Sequence, residues 1–166
     1  MFRSLANWIA STSLSQAFQD MQWVVPTSQS IHLAAIGVVL GVAIFVNLRL
    51  LGLSRSRRSV AEMADTLFPW LWGGLTVLLI TGIVQTIAEP GRQLNTPHFR
   101  WKMVMVAAVA ALTFLFQRSV RARAAVWNEG QATPVSARLF AVLSLALWIG
   151  IVVCGRTIAY VWERYE

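Results

Sequence analysis

Charge is scarce in this sequence. Only 13% of its 166 residues are charged, against 57% that are hydrophobic, a balance outside the ordinary range of a soluble fold. The length allows one domain, residues 1–166, and the composition points to lipid. Lysine is all but missing: Lys102 is the one lysine among 14 basic residues, the rest being arginine. A nucleic-acid surface mixes both and gathers them on a polar face, whereas here they punctuate long apolar stretches. The net charge of +7 is therefore not a nucleic-acid footprint. Cysteine occurs once, at Cys154 inside an apolar run, which excludes an intramolecular disulfide and leaves a small buried hydrophobe. Met1 to Asp20 lacks the unbroken apolar core of a cleavable signal peptide, so the first span is expected to act as its own insertion signal. Nucleotide-binding loops, nucleophile–base pairs and metal-hydrolase spacings are also missing. Glu62 and Asp65 are expected at a helix start, where carboxylates meet the positive end of the helix dipole.

What is present is length of apolar chain. Crossing roughly 30 Å of hydrocarbon takes about 20 mostly apolar residues in a helix. Four stretches meet that requirement, and the predicted spans are 27–53, 68–88, 97–120 and 135–160. Pro26 marks the first turn of the first span, and Ser54 to Arg58 closes it with a basic cluster. Glu89-Pro90-Gly91 stops the second. Thr96-Pro97 opens the third, with threonine as N-cap and proline at the first helical position, and Thr133-Pro134 repeats the pair before the fourth. Residues 1–22 read as an amphipathic element with Leu5, Trp8, Ile9 and Phe18 on its apolar side. The expected fold is all-α: a polytopic membrane protein with a four-transmembrane-helix bundle and a short N-terminal amphipathic helix. Gly37 and Gly41 on the first span, and Gly73, Gly74 and Gly82 on the second, offer close helix approach within the chain or to a neighbour.

Arginine-rich short loops stay in the cytoplasm. The first link holds Arg55, Arg57 and Arg58, and the third holds Arg118, Arg121, Arg123 and Arg138, so both are expected inside, with the two termini outside. Trp23, Trp101 and Trp162 then fall at the outer interface and Trp70, Trp72 and Trp127 at the inner one.

An ionisable or strongly polar group inside a span needs a partner, a route to water or a ligand. Each span carries one near its outer end: His32, Gln85, Lys102 and Arg156, all expected within about 10 Å of the interface at a rise of roughly 1.5 Å per residue. The structural alternative is that Lys102 and Arg156 snorkel outward, His32 bonds a backbone carbonyl and Gln85 ties two helices together. The functional alternative is a site for an apolar anionic ligand, a porphyrin or a quinone. In it His32 would be the metal ligand to haem iron and Lys102 and Arg156 would hold propionates. His98, four residues before Lys102, shares its helix face and is either a second axial ligand or an exposed histidine. The inner ends read as basic anchors.

The segments His32 to Gly37, Asn47 to Gly52, His98 to Met103 and Gly155 to Tyr160 resemble an uncharacterised bacterial four-helix membrane family, from about Trp23 to Tyr160. Ala35 stands where that family has glycine and Asn47 where it has aspartate. More distantly, the plan is similar to copper-resistance protein D domains and to HemJ-type protoporphyrinogen oxidases. The latter resemblance implies haem b, with His32 and Lys102 at the matching positions. These resemblances imply the bacterial inner membrane and a haem-b-binding redox or electron-transfer protein with its site near the outer face. His32, Lys102, Arg156, Gln85 and His98 are the candidate cofactor-binding residues. A non-enzymatic accessory or assembly subunit, and a copper-handling protein using His32, His98 and Met103, are the alternatives. The expected partners are the lipid bilayer, a quinone or membrane protein, and a second copy of the chain.

Overall fold

A computed structural model describes residues 2–53, 60–122 and 135–161. Seven helices and no strand occur among them: α1 (Phe2–Ala10), α2 (Ser13–Asp20), α3 (Val24–Leu50), α4 (Val60–Ala88), α5 (Pro90–Leu94), α6 (Pro97–Ala122) and α7 (Val135–Val161). Of these, α3, α4, α6 and α7 are long and apolar enough to cross a membrane, as the four apolar stretches predict. The clusters at Arg55, Arg57 and Arg58, the Thr133-Pro134 pair, Arg123, Trp127 and Trp162 lie outside the described residues.

The local chemistry sets the boundaries. Helix α3 begins at Val24, so Pro26 sits inside the first turn, where its missing N–H leaves no bond unmade. It ends at Leu50 instead of 53 because Gly52 takes a positive φ of 78°. The Leu53 N–H then donates to Leu48 O at 3.0 Å and the Gly52 N–H to Arg49 O at 3.1 Å, closing the orphan carbonyls in a Schellman turn. Helix α4 starts at Val60, eight residues before the expected boundary, and runs through Pro69 without ending. Glu62 lies in its first turn. Thr96 stands at the head of α6 but is not its side-chain cap. Its hydroxyl lies 3.1 Å from Gln93 O and 3.3 Å from Arg92 O, back towards α5.

The long helices form an up-down-up-down bundle. Helix α3 packs most extensively on α4 and α6 on α7; α3 also meets α7, while α4 and α6 touch less. Bare backbone permits the closest approaches. A Cβ at Gly74 would stand 2.5 Å from Val39 Cγ2, and one at Gly150 would stand 2.7 Å from Met105 Sδ. Gly37, Gly41 and Gly73 face open space. The end where α3 turns towards α4 and α6 runs on beyond Phe116 is the more tightly filled. There Phe116 stacks on Phe140 (centroids 4.2 Å) and meets Phe68 edge to face (6.4 Å).

The opposite end is capped. The N-terminal amphipathic element is a pair of helices, broken at Ser11-Thr12, whose hydroxyls donate to Trp8 O and Ile9 O. Thr12 caps α2 by accepting from the Ser15 N–H at 3.3 Å. Ser15, fully buried, ties this cap to the end of α4 by donating to Ile87 O at 2.7 Å. Helix α1 lies on α5, and Arg100 at the head of α6 covers the Phe2 ring at 4.7 Å. Leu5 and Trp8 remain exposed, the arrangement of an element resting in a membrane interface.

Candidate functional site at the capped end

The register of α3 against α4 decides which polar groups meet. Ser28 and His32 are one turn apart on α3, Thr81 and Gln85 one turn apart on α4, and the antiparallel pair brings them together in two rungs. In the deeper rung His32 Nδ1 lies 2.6 Å from Thr81 Oγ1. In the shallower one Gln85 Nε2 reaches Ser28 O at 3.5 Å, and Ser28 Oγ lies 3.4 Å from Thr81 O. His32 therefore shares its level with Thr81, and Gln85 sits one turn nearer the cap. The sequence signal for Thr81 and Ser28 is their spacing of four from Gln85 and His32, which becomes selective only once the seam is known.

The same rung fixes the histidine tautomer. Thr81 Oγ1 is also 2.7 Å from Val77 O, and two oxygens at that distance repel unless a proton lies between them. The hydroxyl proton thus points to Val77 O, so the bond to Thr81 is donated by His32 Nδ1–H. Nε2 is left with its lone pair. On the adjoining backbone, a Cβ at Gly82 would lie 3.9 Å from His32 Cε1, so the ring edge faces the glycine.

Lys102 enters from α6. It is half-buried, stands within electrostatic reach of His32 and of Cys154, and carries its ammonium 5.8 Å from the Phe99 ring centroid. Its stem passes beside Gly155, where a Cβ would lie 3.9 Å from Lys102 Cδ, an ordinary contact. Cys154, read from the sequence only as an apolar filler, is thus a neighbour of this cation. Arg156 is exposed, with its guanidinium 4.8 Å above the Tyr160 ring. His98 is half-buried rather than exposed, and its Nδ1 is a buried atom without a hydrogen-bond partner among the described residues. Gln93 Oε1 and Asn95 Oδ1 in the adjoining α5 turn share that condition. Among the described residues no cluster of three or more His, Cys, Asp or Glu side chains could hold a metal ion.

The helical composition and the four spans define the class: this is a multi-pass helical membrane protein. The particular family follows from comparison. Residues 8–161 match the model of a family of unknown function, DUF6644, and the chain belongs to that family. No curated protein and no solved structure matches the chain.

Proposed function

We propose that this protein is a haem-b-binding membrane redox protein that exchanges electrons with a quinone or protein partner near the outer face of a bacterial inner membrane. The carrying observation is the Val77 O–Thr81–His32 chain. A metal-ligating imidazole characteristically donates its other N–H to a fixed acceptor, which orients the ring, and His32 is held in that way with Nε2 bare. The donor set fits haem: His32 would hold the iron through its bare ring nitrogen, and Lys102, a half-buried cation within electrostatic reach of it, would hold a propionate. When bound, haem would supply one-electron chemistry between its ferric and ferrous states. His98 is the candidate second nitrogen and Gln85 a lining residue. The resemblance of the His32 and Lys102 positions to HemJ-type proteins supports the same assignment. In this reading the capped end faces outward, in keeping with arginines at the far ends of α6 and α7.

An absorption spectrum of the detergent-purified protein, expressed with adequate haem supply, tests the proposal. A Soret band that His32→Ala abolishes is expected. A colourless wild-type protein, or an unchanged spectrum in the variant, would overturn it.

One observation favours a second reading, an accessory subunit docked to another membrane protein or to a second copy. Gly37, Gly41 and Gly73 have nothing within 4 Å of a built Cβ, so the chain leaves them free for a neighbouring helix. That reading predicts a colourless protein recovered with a partner at fixed ratio. The copper reading has less support: Met103 is exposed, which leaves His32 and His98 as its donors.

A further inference from the structure

Near the far end of α3, Asn47 is 1% exposed in the middle of the bundle. Its Nδ2 donates to Ser144 Oγ on α7 at 3.1 Å, while Oδ1 has no partner among the described residues. Exchanging the two amide atoms, which are nearly indistinguishable by shape, would pair the oxygen and orphan the nitrogen. One end of the amide is unsatisfied either way.

Beside that amide lies a void about the size of one water molecule, walled by residues from all four spans. Its polar wall is Asn47, Thr113 and Ser144, and Phe68, Phe140 and Trp148 contribute to its apolar wall. Every residue lining it is buried. The hydrogen-bonding capacity around it is complementary to water. Asn47 Oδ1 lacks a donor. Thr113 gives its proton to Val109 O at 2.7 Å and keeps oxygen lone pairs, while Ser144 Oγ accepts from Asn47 and retains its own proton.

We propose that this void is a binding site for a single water molecule, which donates to Asn47 Oδ1 and Thr113 Oγ1 and accepts from Ser144 Oγ. Three bonds are the usual complement of a buried water. The site has no carboxylate to compensate a cation, and its polar wall distinguishes it from the apolar voids that stay dry. The water joins α6 to α3 and α7, which the Asn47–Ser144 bond already links directly.

The test uses isotope-labelled full-length protein in lipid nanodiscs. A nuclear Overhauser cross-peak from water to the Asn47 side-chain amide, of the sign given by long-lived bound water and weakened in Thr113→Val, is expected. Thermal unfolding of Asn47→Leu, Thr113→Val and the double variant should show coupling, the double shift in Tm falling clearly short of the two single shifts added together. Additive shifts, or no cross-peak in folded wild-type protein, would overturn the proposal. So would a rise in Tm specific to sodium and lost in Asn47→Leu, which would make the occupant a cation. Should Asn47→Leu fail to fold, the water cross-peak in wild type and in Thr113→Val decides alone.

Discussion

The two ends of this bundle leave different polar side chains accessible. At the capped end half-buried groups are strung along a seam of buried hydroxyls: His32 meets the buried Thr81, Gln85 reaches Ser28 O, half-buried Lys102 stands nearby, and His32 Nε2 is left open. At the far end a polar layer is enclosed. Asn47, Thr113 and Ser144 are each at most 3% exposed, and beside them the half-buried Trp72 bonds the half-buried Gln117 across α4 and α6 at 3.0 Å. Half-buried groups with spare valence are suited to ligands, whereas enclosed ones hold helices in register. On the proposed function, cofactor binding falls to the capped end and the holding of helix register to the far end.

The largest test of that division is Phe116→Ala. Lipid replaces water as the alternative environment, so the transfer gain of a soluble core largely drops out and the lost contacts and cavity remain. Phe116 touches Phe68 and Phe140, and its truncation is expected to cost about 2–3 kcal/mol in reversible unfolding from mixed micelles. His32→Ala, at the half-buried end, should cost clearly less while removing the Soret band. Equal losses of stability would erase the distinction.

Gly74→Ala probes the closest α3–α4 approach. The new methyl would stand 2.5 Å from a side-chain carbon of Val39, which is fully buried, so either Val39 must leave its rotamer or the helices must part. Overpacking of this kind costs about 1–3 kcal/mol. Gly37→Ala, facing open space, should leave monomer stability unchanged; a loss of a co-purifying partner in that variant would strengthen the accessory reading.

Thr81→Val joins the two themes. It keeps the shape of the side chain but strands His32 Nδ1–H, with an expected cost of about 1 kcal/mol. Thr81→Ser should restore most of it. The readout that a merely structural bond would not move is the Soret maximum or midpoint potential, which should shift in Thr81→Val and return in Thr81→Ser.

Much of the fold was legible because membrane spans declare themselves by apolar length, a property of single segments. The less legible boundaries depended on tolerance. The second span is expected from residue 68, yet α4 starts at Val60 and passes through Pro69, and Thr96 has the form of a cap while its hydroxyl turns back to α5. His32 and Lys102 could be singled out because ionisable side chains are conspicuous in an apolar run. Thr81 and Ser28 could not, since a helical hydroxyl ordinarily satisfies itself on its own backbone, and only the α3–α4 register gives it a second partner. Asn47 showed in the sequence only as a departure from a family pattern, and the expectation of plain basic anchors at the far end missed the buried layer beneath them.

The smallest effect is expected at Arg156, and it separates depth along a helix from direction around it. Lys102 and Arg156 lie at comparable distances from their helix ends, which led to their reading as a matched pair of propionate partners. Direction divides them: Lys102 lies within electrostatic reach of His32, whereas Arg156 is exposed over Tyr160. An exposed cation–π contact contributes about 0.5–1 kcal/mol at most, and exposed substitutions commonly fall within about 0.5 kcal/mol. Arg156→Gln is therefore expected to leave both unfolding and the haem spectrum nearly unchanged, while Lys102→Met, similar in length and without charge, should weaken haem retention in a haem-transfer assay to an apo-acceptor. Equal haem loss in the two variants would show that Arg156 leaves Tyr160 to reach the ligand, and the capped-end site would then draw its cations from both α6 and α7.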